Sequence, residues 1–285
     1  MREHSIRANG LTHYVRDSGA ENATPAILLH GFPDSADVWN AVTPALLEEG
    51  YRVIAPDLRG FGRTEMAPRP ADYDIATGAV PDILGIIDHL KLGKAHIVGH
   101  DFGAPVAWAL AAHAREHFIS LTALSVGHPR AYLAAGMQQK LMSWYIVMHQ
   151  ARGLCEWLYK RDDWALLRKH WSAHGDIDAA IALLARPGRL TAGLNWYRAN
   201  FALRRIAEMA KAPKGDDIVR IPTMGVWSDG EKYLAEDQMT GSARFVEAHW
   251  RYERIEGASH WIPYEAPDRL AALLTRHWED AAFDA

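Results

Sequence analysis

The chain has one cysteine, Cys155, among its 285 residues. It therefore cannot form an internal disulfide. Without a Cys-x-x-Cys partner it also supports neither a zinc ribbon nor a dithiol redox site. Packing is its expected role, because free cysteines are mostly buried. No run approaches the roughly eighteen consecutive apolar residues that a membrane span needs, and the segment MREHSIRANG lacks the apolar stretch of a signal peptide. A cytoplasmic protein without membrane association is expected. Net charge is small, since 31 Lys and Arg face 35 Asp and Glu for a formal net charge of −4. No basic footprint remains for nucleic acid or anionic lipid. No segment repeats at a fixed period and none is of low complexity, which excludes solenoids and disordered linkers. The 15 histidines include no His-Glu-x-x-His, so neither a metal nor an organic cofactor is implied.

What is present is a chain long enough for one continuous core with an insertion. Short apolar or β-branched runs ending in turn signals read as strands at 26–30, 52–55, 95–99, 120–127, 223–227 and 252–257. Helical spacing of apolar residues alternates with them around 36–49, 78–91, 102–116, 235–248 and 266–279. That alternation predicts an α/β fold with a mostly parallel sheet flanked by helices, and extended segments at 4–7 and 11–16 predict an antiparallel lead-in. From Pro129 to about Pro222 the sequence is helix-forming and dense in Trp and Tyr. Residues 129–216 are expected to be an inserted helical cap, dividing the core into 1–128 and 217–285.

A predicted strand runs directly into Gly99-His100-Asp101-Phe102-Gly103-Ala104 and then a predicted helix. This is the strand–turn–helix setting of a nucleophile elbow, whose small residues permit a strained turn. Aspartate stands in the nucleophile's place, and no Gly-x-Ser-x-Gly occurs anywhere in the chain, which removes a serine esterase or lipase. A carboxylate at a helix N-terminus is held in the ionised form that can attack carbon; the competing reading is an ordinary helix-capping Asp. Upstream, His30-Gly31-Phe32-Pro33 follows another strand. Backbone N–H groups of Phe32 and Phe102 are expected to converge on the Asp101 carboxyl as an oxyanion hole, with His30 structural.

Near the end, Gly257-Ala258-Ser259-His260-Trp261 closes the last strand, where a general-base histidine belongs in this arrangement. Asp229 and Glu231 both lie just past the strand at 223–227, and either can orient His260. The order nucleophile, acid, histidine is that of an α/β-hydrolase.

With these residues in hand, the chain resembles the epoxide hydrolase branch of the α/β-hydrolases over nearly its whole length. The matching motifs are His-Gly-Phe-Pro at 30–33, Pro-Asp-Leu-Arg-Gly-Phe-Gly at 56–62, Gly-His-Asp-Phe-Gly-Ala at 99–104 and Gly-Ala-Ser-His-Trp at 257–261. The family's acid, laid on this chain without gaps, falls on Glu231. Leu194-Asn195-Trp196-Tyr197-Arg198 resembles the segment carrying one of the family's two ring-opening tyrosines, which implies that role for Tyr197. Tyr145, Gln150, Gly153 and Glu156 keep the offsets of the segment carrying the other, although Met148, His149 and Arg152 depart from its usual types. Packing in an aromatic-rich cap is the competing role for both tyrosines.

The resemblance implies hydrolysis of an epoxide to a vicinal diol through an alkyl ester on Asp101, with a small-molecule epoxide as the only partner and a homodimer left open. Haloalkane dehalogenases place Trp, and fluoroacetate dehalogenases Arg, directly after the nucleophile; here it is Phe102. A dehalogenase is the alternative reading, and a non-catalytic binding protein on the same fold a further one.

Overall fold

The computed structural model describes residues 1–211 and 215–283. Residues 212–214, within the expected insertion, and 284–285, within the expected second part of the core, lie outside the described residues. Eight strands form one sheet in the order β1-β2-β4-β3-β5-β6-β7-β8. They are β1 (Arg2–Ala8), β2 (Leu11–Ser18), β3 (Pro25–Leu29), β4 (Arg52–Pro56), β5 (Ala95–His100), β6 (Phe118–Leu124), β7 (Thr223–Ser228) and β8 (Trp250–Ile255). β1 and β2 pair antiparallel, and β2 joins β4 the same way. From β4 to β8 every pairing is parallel. The α/β expectation and its antiparallel lead-in are both met.

The central strands are buried along their whole length, and alternate residues feed opposite faces. Ile27, Leu29, Ile54 and Ile97 pack on one side with α2 (Val80–Leu90) and α3 (Gly103–His113). Ala26, Leu28, Val53 and Val98 pack on the other with α1 (Thr43–Glu48) and the C-terminal α14 (Pro267–Phe283). Helices cover both faces, so each strand reads as a continuous apolar run instead of an alternating one.

Several boundaries differ from expectation. The helix expected over 36–49 is a 3-10 turn at Ala36–Trp39 followed by α1. The strand expected over 120–127 stops at Leu124, because Ser125 turns to a left-handed φ of 64°. The helix expected over 235–248 ends far earlier, as α12 (Glu236–Thr240) and a 3-10 turn at Gly241–Phe245. The chain must extend there, since Val246 bridges Val219 on its way into β8.

Between β6 and β7 the described residues are helical: α4 (Pro129–Ala134), α5 (Met137–Met142), α6 (Trp144–Gln150), α7 (Leu154–Lys160), α8 (Ala165–His170), α9 (Ile177–Leu184), α10 (Arg189–Asn200) and α11 (Leu203–Lys211). α13 (Ile262–Glu265) precedes α14. From β3 the chain goes to one neighbour, β4, and then returns to the other, β5. Open α/β sheets bind ligands outside the carboxyl ends of the strands at such a reversal. The loops after β3 and β5 carry Phe32 and Asp101.

Candidate active site

Leu29 of β3 sits in register with Gly99 of β5, which brings the two loops side by side. The turn at Asp101 is strained, with a left-handed φ of 49° on a residue that has a Cβ. It closes because Gly99 and Gly103 have none. A Cβ on Gly99 would meet the Gly103 carbonyl, and one on Gly103 would meet the carbonyls of Leu29 and His30. Asp101 thus projects from a bend that its neighbours over-determine, just before α3.

Phe32 N–H donates to Asp101 Oδ1 at 2.7 Å. The expected second donor differs: Phe102, the N-cap of α3, makes no hydrogen bond from its N–H to this carboxylate, and Phe32 alone does. His30 is held as a structural group, its Nδ1 against the Gly31 carbonyl at 2.9 Å and its Nε2 accepting from Leu58 N–H at 2.9 Å.

His260, 2% exposed, lies between two carboxylates. Its Nδ1 is 2.6 Å from Glu231 Oε2 and its Nε2 is 3.6 Å from Asp101 Oδ2. Glu231 is anchored in turn, Oε1 accepting from Tyr233 N–H at 2.8 Å. Asp229 is exposed and caps a different turn, accepting from Gly257 N–H at 2.8 Å. Of the two carboxylates at this loop, Glu231 is the one that meets His260. Burial opposes the imidazolium, but Glu231 and Asp101 together outweigh it and raise the His260 pKa to about 10.

The two tyrosines enter from the helices between β6 and β7. Tyr145 on α6 and Tyr197 on α10 are 6% and 2% exposed, with ring centroids 6.0 Å apart. Tyr197 packs on Phe102 with ring centroids 4.7 Å apart and on Phe32 at 5.7 Å, which sets it over the Asp101 loop. Burial, reinforced by the nearby Asp101 charge, pushes both phenols well above their usual pKa of 10, so both stay protonated. The Tyr197 hydroxyl has no hydrogen-bond partner although it is buried. Asp101, Tyr145 and Tyr197 line one cavity of about 430 Å³ with otherwise mainly apolar walls.

The motif residues that flank the tyrosines explain their placement. Gln150 donates from Nε2 to the Tyr197 carbonyl at 3.2 Å, and Arg198 pairs with Glu156 at 2.8 Å and reaches the His149 carbonyl at 2.9 Å. α6, α7 and α10 are thereby clamped together. Trp196 Nε1 donates to the Arg59 carbonyl at 3.1 Å, while Arg59 grips Asp82 through two bonds of 2.7 and 2.6 Å. Asn200 Nδ2 donates to the Tyr73 carbonyl at 3.0 Å. These ties fix α10 to the loop after β4 and to the turn before α2. Trp196 and Asn200 went unassigned in the sequence reading, where only the i, i+4 spacing on the helix of Tyr197 marks them.

Comparison with known proteins agrees with this picture. A family model described as alpha/beta hydrolase fold matches residues 24–267. The AB hydrolase superfamily protein YfhM of Bacillus subtilis (strain 168) is 31% identical over 284 residues, covering 95% of this chain and 96% of that protein. Epoxide hydrolase 4 of Homo sapiens is 26% identical over 285 residues, covering 94% and 76%. The crystal structure of epoxide hydrolase VrEH1 from Vigna radiata superposes with a TM-score of 0.83 at 25% identity, covering 98% of each chain.

Proposed function

We propose that this chain, which belongs to the alpha/beta hydrolase fold family, is an epoxide hydrolase that works through a covalent ester on Asp101. Relatives bearing that name, matched along most of their length, support the activity. The observation that carries the reading on this chain is the pair of buried, protonated phenols sharing a cavity with an exposed-edge carboxylate. Opening an epoxide develops alkoxide charge, and two O–H donors stabilise it and then supply the proton. A departing halide needs no proton.

In the first half-reaction an Asp101 oxygen attacks one epoxide carbon. The C–O bond to the ring oxygen breaks, and Tyr145 or Tyr197 protonates that oxygen. In the second, His260, oriented by Glu231, takes a proton from water, whose oxygen adds to the ester carbonyl of Asp101. The oxyanion is held by Phe32 N–H and collapses with cleavage of the bond to the diol oxygen. The vicinal diol leaves with the proton of the added hydroxyl, the proton on His260 restores the phenol, and Asp101 is regenerated. On this reading helices α4 to α11 act as a cap that carries the acid pair. The reading also keeps the cytoplasm as the location, in line with a single buried cysteine. A homodimer is the oligomer to look for.

The test follows diol formation from styrene oxide and bromide release from 1-bromobutane by the wild type, with His260→Gln examined by mass spectrometry. Diol from the wild type and a protein adduct of one substrate mass in the variant are expected. Bromide without diol assigns the site to a dehalogenase instead. Neither product, with no adduct, removes the catalytic reading.

A further inference from the structure

An epoxide held by this site has its oxygen toward the two phenols and one carbon against Asp101. The substituents on its two ring carbons must then leave toward opposite ends of the ring. The two ends are not alike. One opens into the cavity, which runs from Asp101 past Trp108, Tyr132 and Phe201 to Ile206 and the exposed His113. The other end meets buried rings that line none of this cavity: Phe32, His149, Trp171, Tyr233 and Trp261, at 1%, 0%, 2%, 6% and 0% exposure.

Trp171 is the hub of that packing. Its ring centroid lies 5.6 Å from Tyr145, 5.8 Å from Phe32, 4.8 Å from Tyr233 and 6.0 Å from Trp261. Tyr233 continues the contact to His260 at 5.4 Å, and His149 sits 4.3 Å from Tyr197 and 6.1 Å from Phe32. The rings therefore reach both phenols, the residue whose N–H holds Asp101, and the histidine. The Nε1 of Trp171 and the Nδ1 of His149 are buried without partners. The wall is filled by shape, at the expense of hydrogen bonds.

We propose that Trp171, supported by His149, closes one end of the site, so that the chain accepts terminal epoxides with a single apolar substituent and rejects epoxides bearing a chain on each carbon. The inference rests on the epoxide hydrolase reading. The unsubstituted CH2 faces Trp171, and the substituent lies along Trp108 and Phe201, where an alkyl or aryl group finds apolar walls. Rigid close-packed rings do not yield to a propyl group, because added volume in a filled space forces side chains off their rotamers.

Two isomers test it, 1,2-epoxyoctane and trans-4,5-epoxyoctane. They have the same atoms and differ only in whether one or both ring carbons carry a chain. For the wild type, kcat/KM for the terminal isomer should exceed that for the internal isomer by at least about 100-fold, the upper range of what a single misplaced methylene costs in a pocket. In Trp171→Ala, or in Trp171→Leu should the first variant not fold, that ratio should fall by at least about tenfold. Wild-type values within threefold of each other overturn the one-ended site. A ratio unchanged in a folded Trp171 variant overturns the assignment to Trp171. Failure to hydrolyse either isomer removes the epoxide hydrolase reading itself, which separates the two ideas.

Discussion

Replacing Glu231 by Gln removes one charge and almost no volume, so its effect can be worked out from two hydrogen bonds. Glu231 Oε1 accepts from Tyr233 N–H at 2.8 Å and Oε2 faces His260 Nδ1 at 2.6 Å. A Gln that keeps its oxygen on Tyr233 turns its NH2 toward Nδ1. The imidazole must then move its proton to Nε2, the nitrogen that has to take a proton from water. A Gln flipped the other way sets NH2 against the Tyr233 N–H and leaves a buried donor unpaired, a cost of about 1–3 kcal/mol. The first arrangement disables the base, as in the serine-protease triad, where the equivalent change costs about 10⁴-fold in kcat. The second keeps the tautomer but loses the charge that stabilises the imidazolium. Ring opening does not use His260 as a base and should fall far less, so the alkyl ester should accumulate. Asp229→Asn alters an exposed group bound only to Gly257 N–H, which Asn can still serve; its kcat should stay within about twofold, the range of surface substitutions. Quenched single-turnover kinetics with mass spectrometry separate formation and breakdown of the ester. Glu231→Gln within tenfold of wild-type kcat, or Asp229→Asn as the more damaging change, would refute the assignment.

Tyr197→Phe deletes one donor to the developing alkoxide and should slow ring opening by at least about tenfold, against about 2.7–4 kcal/mol for a full oxyanion donor, with Tyr145→Phe/Tyr197→Phe close to inactive. Because the Tyr197 hydroxyl is buried without a partner, the single variant should melt no lower than wild type, and a lower midpoint would mean the hydroxyl is a structural group. Acid should destabilise the fold through buried neutral histidines: burial lowers His96 to about 3, and His100 and His277 to about 4. Their folded values lie below the unfolded value near 6.5, so the unfolded chain binds more protons in between, and stability is lost as pH falls from about 6.5 toward 4, up to about 1.4 kcal/mol per pH unit for each. Thermal midpoints flat from pH 6.5 to 4.5 would contradict this.

The parts of this molecule legible in its sequence are those set by short-range constraint. Parallel strands buried on both faces announce themselves as apolar runs, and the elbow at Asp101 needs glycines at 99 and 103 because backbone carbonyls occupy the space of a Cβ. Between Asp229 and Glu231 only the gapless match to the family's acid points to Glu231, since residue type and position just past a strand suit both. Two residues apart, they differ only in which one the turn buries against His260. The break at 241–245 was hidden, since the residues keep helical spacing and only the pull of Val246 toward Val219 straightens the chain. The ring cluster around Trp171 had no signal in the local pattern. Its rings come from the loop after β3, from α6 and from segments near 171, 233 and 261, and nothing along the chain connects them.

In the proposed mechanism the setting of His260 also orders the two half-reactions. While Asp101 is a carboxylate, Nε2 faces a negative charge 3.6 Å away and Nδ1 another at 2.6 Å, and a pKa of about 10 leaves the ring protonated at neutral pH. In that form it cannot serve as a base, and its charge stabilises the Asp101 carboxylate. Ester formation removes the Asp101 charge and its hydrogen bond together. Burial, which acts to lower the pKa, is then opposed by Glu231 alone, and the value must fall toward the range where imidazole takes a proton from water. The nucleophile's own consumption thus makes the base. The two steps should accordingly respond differently to pH: ester breakdown should slow as acid protonates His260 in the alkylated enzyme, while ring opening, which needs the carboxylate and the phenols, should hold steady over the same interval. Single-turnover traces resolved into the two phases measure this directly, and identical pH profiles for both would show that His260 is the same base before and after Asp101 reacts.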